Sequence, residues 1–153
     1  MLLLCAFLVG LVAGLRSMLA PAIVSWSARM NLLNVGHTFL ALMNSGVTAI
    51  VFTIFAVAEL VADKLPKTPS RKQPLPFIVR ILSGSLVGAT VGATGGKVAL
   101  GIVCGAIGAV VGTLGGAAAR AKLAIAFGRD YRAAVLEDFF AIALALFAIL
   151  KIA

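Results

Sequence analysis

Long apolar runs separated by short polar stretches organise the chain, and runs of this length predict helices rather than strands. They cover residues 2–26, 38–62, 77–94, 98–119 and 133–150. A helix crossing a hydrocarbon core about 30 Å thick needs roughly 20 apolar residues, so the pattern predicts an all-α membrane protein with about five transmembrane helices. Trp26 sits where an indole would anchor the end of the first span at the headgroup zone. Residues 64–76 break the pattern with four prolines and four basic residues, forming the one clear polar connector. The 153 residues form one polytopic domain.

Composition agrees with this reading and removes others. The chain is 62% hydrophobic and only 12% charged, with a mean hydropathy of +1.15, whereas about a quarter of the residues of an ordinary soluble domain are charged. The net charge of +8 is spread over loops with almost no interleaved aromatic residues, which argues against nucleic acid and for cytoplasmic retention of basic loops. Lys64, Lys67, Arg71, Lys72, Arg80, Arg120, Lys122, Arg129 and Arg132 fall on one side of a five-span topology, against Arg29, Lys97 and Lys151 on the other. That bias predicts a multi-pass protein of the plasma membrane with its amino terminus in the cytoplasm and its carboxyl terminus outside. Met1 to Ala20 is expected to be a retained span rather than a removed leader.

Eleven of the sixteen glycines lie between Gly84 and Gly116. Gly84, Gly88, Gly92 and Gly96 follow at four-residue spacing, and Gly108 and Gly112 continue the habit. Such strips let helix backbones approach closely in lipid, so these glycines are expected to form glycine-zipper packing faces. Gly10 to Gly14 superposes on Gly108 to Gly112 at an offset of 98 residues. With an odd number of crossings between them, the two copies would run in opposite directions, as in the inverted repeats of many secondary transporters.

Arg16 is the most informative charge, because an ionisable group inside a span costs at least about 2.5 kcal/mol and is a functional candidate by default. In the five-span topology Arg16 lies past the midplane, whereas all five acids belong to the cytoplasmic half, leaving it no carboxylate at its own depth. It then either snorkels or faces a cavity opened by a break near Ser17 to Pro21. Glu59 and Asp63 share a helical face at i, i+4 and are placed to pair with Lys64, Arg71 or Arg80. The sharper reading joins Glu59 and Glu137 as a proton or cation site, with Asp138 sharing it or capping its helix. Arg16, Glu59, Asp63, Arg71, Glu137 and Asp138 are therefore the candidate substrate or ion site.

An enzyme is not expected. His37 is the sole histidine and lies in a loop away from every acid, and Cys5 and Cys104 are isolated in apolar runs. Nucleophilic triads, metal sites and a phosphate-cradling loop all lack parts, and no cofactor is implied.

Ala58-Glu59-Leu60-Val61-Ala62-Asp63-Lys64-Leu65-Pro66, followed by Pro69-Ser70-Arg71 and Arg80, resembles the signature of a membrane family known as domain of unknown function 4126. Gly14-Leu15-Arg16-Ser17 with Pro21-Ala22 and Ser25-Trp26 is similar to that family's first-span motif. The resemblance extends over nearly the whole chain and brings no activity with it. It singles out Arg16, Glu59, Asp63, Lys64, Ser70, Arg71 and Arg80.

Two functions remain. One is a transporter or channel handling a small or anionic solute or a lipid headgroup around Arg16. The other is a scaffold or accessory subunit that binds a membrane protein, or a second copy of itself, through its glycine faces. Apart from these, the lipid bilayer is the expected partner.

Overall fold

The computed structural model describes residues 1–35, 39–63, 73–127 and 130–153. Among these residues six α-helices follow one another: α1 (Leu2–Leu15), α2 (Leu19–Arg29), α3 (Gly46–Ala62), α4 (Pro74–Ala93), α5 (Val98–Phe127) and α6 (Asp130–Leu150), with a 3₁₀ helix at Phe39–Asn44 before α3. Among the described residues, three stretches are long and apolar enough to cross a membrane, Pro74–Ala93, Val98–Ile125 and Arg132–Leu150; Leu2–Leu15 and Gly46–Ala62 are shorter apolar helices.

The expected first span, residues 2–26, is interrupted. Arg16 adopts an extended conformation at φ −140° and ψ 108°, and α2 restarts at Leu19 with Pro21 in its first turn. Proline lacks an N–H and its ring clashes with the carbonyl four residues back, so a helix cannot run unbroken from Ser17 into Pro21. The Ser17 carbonyl that Pro21 cannot serve accepts a hydrogen bond from Ser83 Oγ instead. Elsewhere the boundaries move less. Pro74 opens α4 inside the expected connector, whose residues 64–72 lie outside the described residues. Nothing between Gly116 and Phe127 stops α5, so it continues eight residues beyond the expected end at Ala119.

Glycines set the packing of α1, α4 and α5. A Cβ on Gly84 would lie 2.7 Å from the Gly105 carbonyl oxygen, and one on Gly92 would lie 2.6 Å from that of Lys97. One on Gly88 would overlap the Gly101 carbonyl oxygen. Rising numbers on α4 meet falling numbers on α5, so the two helices are antiparallel. Gly96 departs from its expected packing role. It turns the chain between them at φ +67°, with no atom within 4 Å of the Cβ it lacks, in the left-handed region that favours glycine.

The relation of α1 to α5 corrects the expected topology. A Cβ on Gly14 would meet Ala109, Gly112 and Thr113, whereas Gly10 meets Gly105, and Gly108 meets Phe7, Gly10 and Leu11. Numbers rise together, so the two glycine copies lie side by side and parallel, not opposed as an inverted repeat requires. Leu2 accordingly reaches Gly95 in the α4–α5 turn, and α6, whose Asp138 meets Arg16, brings Lys151 near Cys5. The two termini and the 95–97 turn share one end of the bundle, and α3 ends beside Arg16. The expectation of termini on opposite sides assumed that residues 2–26 make one full crossing; α1 stops short of one.

α2 and α3 form an antiparallel pair. Met18 meets Glu59, Trp26 Nε1 donates to Thr53 Oγ1 at 2.9 Å, and Gly46 faces the Arg29 guanidinium. Large apolar side chains on α3, α5 and α6, among them Ile54, Phe55, Ile107, Phe139 and Phe147, point outward. Such exposure fits a surface solvated by lipid tails, where exposed apolar groups carry no hydrophobic penalty.

Candidate functional site

The break between α1 and α2 gathers charge from four other helices. Arg16, wholly inaccessible to solvent, forms an ion pair with Asp63 at the end of α3, and its second amino group lies 2.5 Å from Asp138 Oδ1 on α6. Its Nε has no hydrogen-bond acceptor among the described residues. At about 1.5 Å per residue, Arg16 lies roughly 20 Å from the Leu2 end of the bundle, in the same half as the acids. The expectation that it had no carboxylate at its depth fails for one reason: α1 enters from the opposite end.

Each exposed helix end at the break meets a charge of the matching sign. The last carbonyls of α1, Gly14 O and Leu15 O, both accept from Arg80 Nη1 at 2.7 Å, and Thr113 Oγ1 adds a bond to Gly14 O at 3.2 Å. The first N–H groups before α2 point at Glu59: Ser17 N and Ser17 Oγ donate to Oε1 and Met18 N to Oε2, all at 2.8 Å. A cation at a helix C-terminus and an anion at an N-terminus oppose the dipole at each, and together they satisfy backbone groups that the break would leave bare in lipid. Arg80 Nη2 lies 3.5 Å from Glu59 Oε1, tying the two caps together.

Arg120 of α5 completes the network. Nη1 lies 3.5 Å from Asp63 Oδ2 and 3.7 Å from Glu137 Oε2, and Nη2 donates to the Asp63 backbone carbonyl at 3.3 Å. Beside it a cavity of about 370 Å³ opens between α1, α5 and α6, with an almost wholly apolar lining to which Arg120 and Glu137 contribute. No group of three or more His, Cys, Asp and Glu side chains among the described residues is placed to hold a metal ion.

Five of the six residues expected at the site, Arg16, Glu59, Asp63, Glu137 and Asp138, lie in this network; the sixth, Arg71, is outside the described residues. The expected pairing of Glu59 with Arg80 is present. Arg80 was expected as a partner of the carboxylates and singled out again by family resemblance, whereas its hold on the α1 carbonyls was not foreseen, and Arg120, Ser83 and Thr113 were not expected at the site. Arg120 reads as a loop residue only if the fourth helix stops at Ala119. The absence of any Gly or Pro from residue 117 to 127 was the signal that it does not.

These features define an all-helical protein of apolar, span-like helices built around a buried ionic network at a helix break. The chain matches the family described as a domain of unknown function (DUF4126) over residues 3–151, and it belongs to that family. A comparison with curated proteins found no match. One with solved structures found none either.

Proposed function

We propose that the protein is a small multi-pass membrane transporter or channel in which the network at the α1–α2 break handles an anionic solute or headgroup. The observation that carries this reading is Glu59. Its carboxylate occupies a ready-made anion site, formed by two backbone N–H groups and a hydroxyl at a helix start with the Arg80 guanidinium behind it. Discontinuous helices whose N-terminal ends face anionic groups near the middle of a membrane are the way several secondary transporters bind their substrates. An external carboxylate or phosphate competing with Glu59 would find the same donors, and Arg16 and Arg80 would offset its charge. Displacing Glu59 loosens α3 from the break, which supplies a route from binding to movement.

Glycine-zipper packing is the reading we give to the contacts among α1, α4 and α5. The faces of Gly84, Gly88, Gly92, Gly108 and Gly112 are turned toward backbone of the same chain. That leaves the scaffold alternative without its expected surface. Lys64, Lys67, Arg71 and Lys72 between α3 and α4, with Lys122, Arg129 and Arg132 near the junction of α5 and α6, favour placing that end of the bundle in the cytoplasm, with both termini outside.

Efflux from proteoliposomes loaded in turn with chloride, phosphate and acetate tests the function. One of these anions is expected to leave faster than from protein-free vesicles, with the gain lost in Arg16→Gln and changed in Glu59→Gln, where the competing carboxylate is gone. Equal efflux from wild type and both folded variants would overturn the assignment of the site.

A further inference from the structure

The cavity beside the network has a shape and chemistry that the ionic mechanism does not use. Leu11 and Leu15 of α1, Val111 of α5, and Leu136 and Phe140 of α6 form its apolar wall. Gly112, Gly115 and Gly116 form part of its lining where side chains are missing. A Cβ on Gly115 would meet nothing within 4 Å among the described residues, so α5 is not covered by one of the described helices at this position. The lining runs along α5 from Val111 to Leu123, about 18 Å at 1.5 Å per residue, which suits an extended hydrocarbon chain. A groove of this kind facing lipid tails does not stay empty, because an unfilled apolar void forfeits dispersion contacts along its whole wall.

Charge on the lining selects the occupant. Arg120 and Glu137 both line the cavity, with opposite charges 3.7 Å apart. A purely anionic headgroup would satisfy Arg120 but bring its charge against Glu137 and Asp63. A zwitterion satisfies both signs at once, its phosphate accepting from the guanidinium and its cation facing the carboxylate. Carboxylate recognition by hydrogen bonding further favours a primary ammonium, which has three donors, over a quaternary one, which has none.

We propose that this groove binds one aminophospholipid of the phosphatidylethanolamine class, with an acyl chain along α5, its phosphate at Arg120 and its ammonium at Glu137. The assignment concerns a lipid held by the resting protein and stands whether or not a solute moves through the Arg16 network.

Native mass spectrometry of the full chain, released from vesicles of equimolar phosphatidylethanolamine, phosphatidylcholine and phosphatidylglycerol, tests it without any flux measurement. One phosphatidylethanolamine per chain is expected to be retained about tenfold over each of the other two lipids. Gly115→Phe fills the groove from an open position and is expected to abolish retention. Glu137→Gln is expected to equalise phosphatidylethanolamine and phosphatidylcholine while a lipid is still held. Wild type retaining no lipid, wild type retaining the three lipids equally, or Gly115→Phe retaining phosphatidylethanolamine as wild type does would each overturn the proposal.

Discussion

Arg16 and Asp63, 47 residues apart in the chain, form an ion pair in which the guanidinium is wholly buried. It joins the end of the first helix to the end of the third, and Asp138 extends the link to the sixth. Removing one member of such a group leaves charges buried without compensation, which costs about 3–5 kcal/mol. Arg16→Met is therefore expected to lower the thermal midpoint in detergent more than any other single substitution in the network. Combining it with Asp63→Asn and Asp138→Asn should restore part of the loss, because the stranded carboxylates are gone. No recovery in the triple variant would contradict the pairing.

Glu59 is predicted to act first as a cap. Replacing it with Leu strands the Ser17 and Met18 N–H groups, and each unsatisfied buried donor costs about 1–3 kcal/mol. Glu59→Gln keeps acceptor oxygen and loses only charge, so it should be milder by about half. Hydrogen exchange at the amides of residues 17 and 18 reads this directly: protection falls strongly in the Leu variant and modestly in the Gln variant. Unchanged protection in both would mean that the carboxylate does not cap α2.

Gly88 and Gly115 are both glycines of the rich stretch and should respond oppositely. A methyl on Gly88 would overlap the Gly101 carbonyl oxygen, and overpacking of this kind costs about 1–3 kcal/mol. One on Gly115 enters open space and raises helix propensity by about 0.5–1 kcal/mol. Thermal midpoints of Gly88→Ala and Gly115→Ala should thus fall on either side of wild type. Gly96→Ala, at φ +67°, should cost about 1–2 kcal/mol from its left-handed backbone alone.

Solvent access separates an aqueous pathway from a sealed staple. Single cysteines at positions 16, 59 and 137, in a chain with Cys5 and Cys104 replaced, should react with a small charged thiol reagent from one side of the membrane. Complete protection of all three, in variants that remain folded, would remove the transport reading while leaving the ion pairs intact.

The charged residues of the site were largely legible in the sequence, because an arginine and paired carboxylates within apolar runs stand out against their surroundings. A break near Ser17 to Pro21 was one of two readings open for Arg16, and it is the one found. What could not be read was the direction of the first helix. Counting apolar residues treats 2–26 as one crossing, and parity then sends every later helix the wrong way relative to it. That single step separated Arg16 from Asp63 and Asp138 and turned two parallel glycine strips into opposed copies. Arg120 was missed for a related reason, since a basic residue after an apolar run has the same appearance in a loop and in a helix that runs on.

Arg16 and the acids share one level only because α1 enters from the end that carries the α4–α5 turn. Leu2→Cys with Gly95→Cys, in a background lacking Cys5 and Cys104, measures this directly, since the Leu2 side chain reaches the space above Gly95. Mild oxidation in the membrane is predicted to join the two cysteines within one chain, and impermeant reagents should label both from the same side. Labelling from opposite sides with no cross-link would contradict the arrangement, and the network at Arg16 with it.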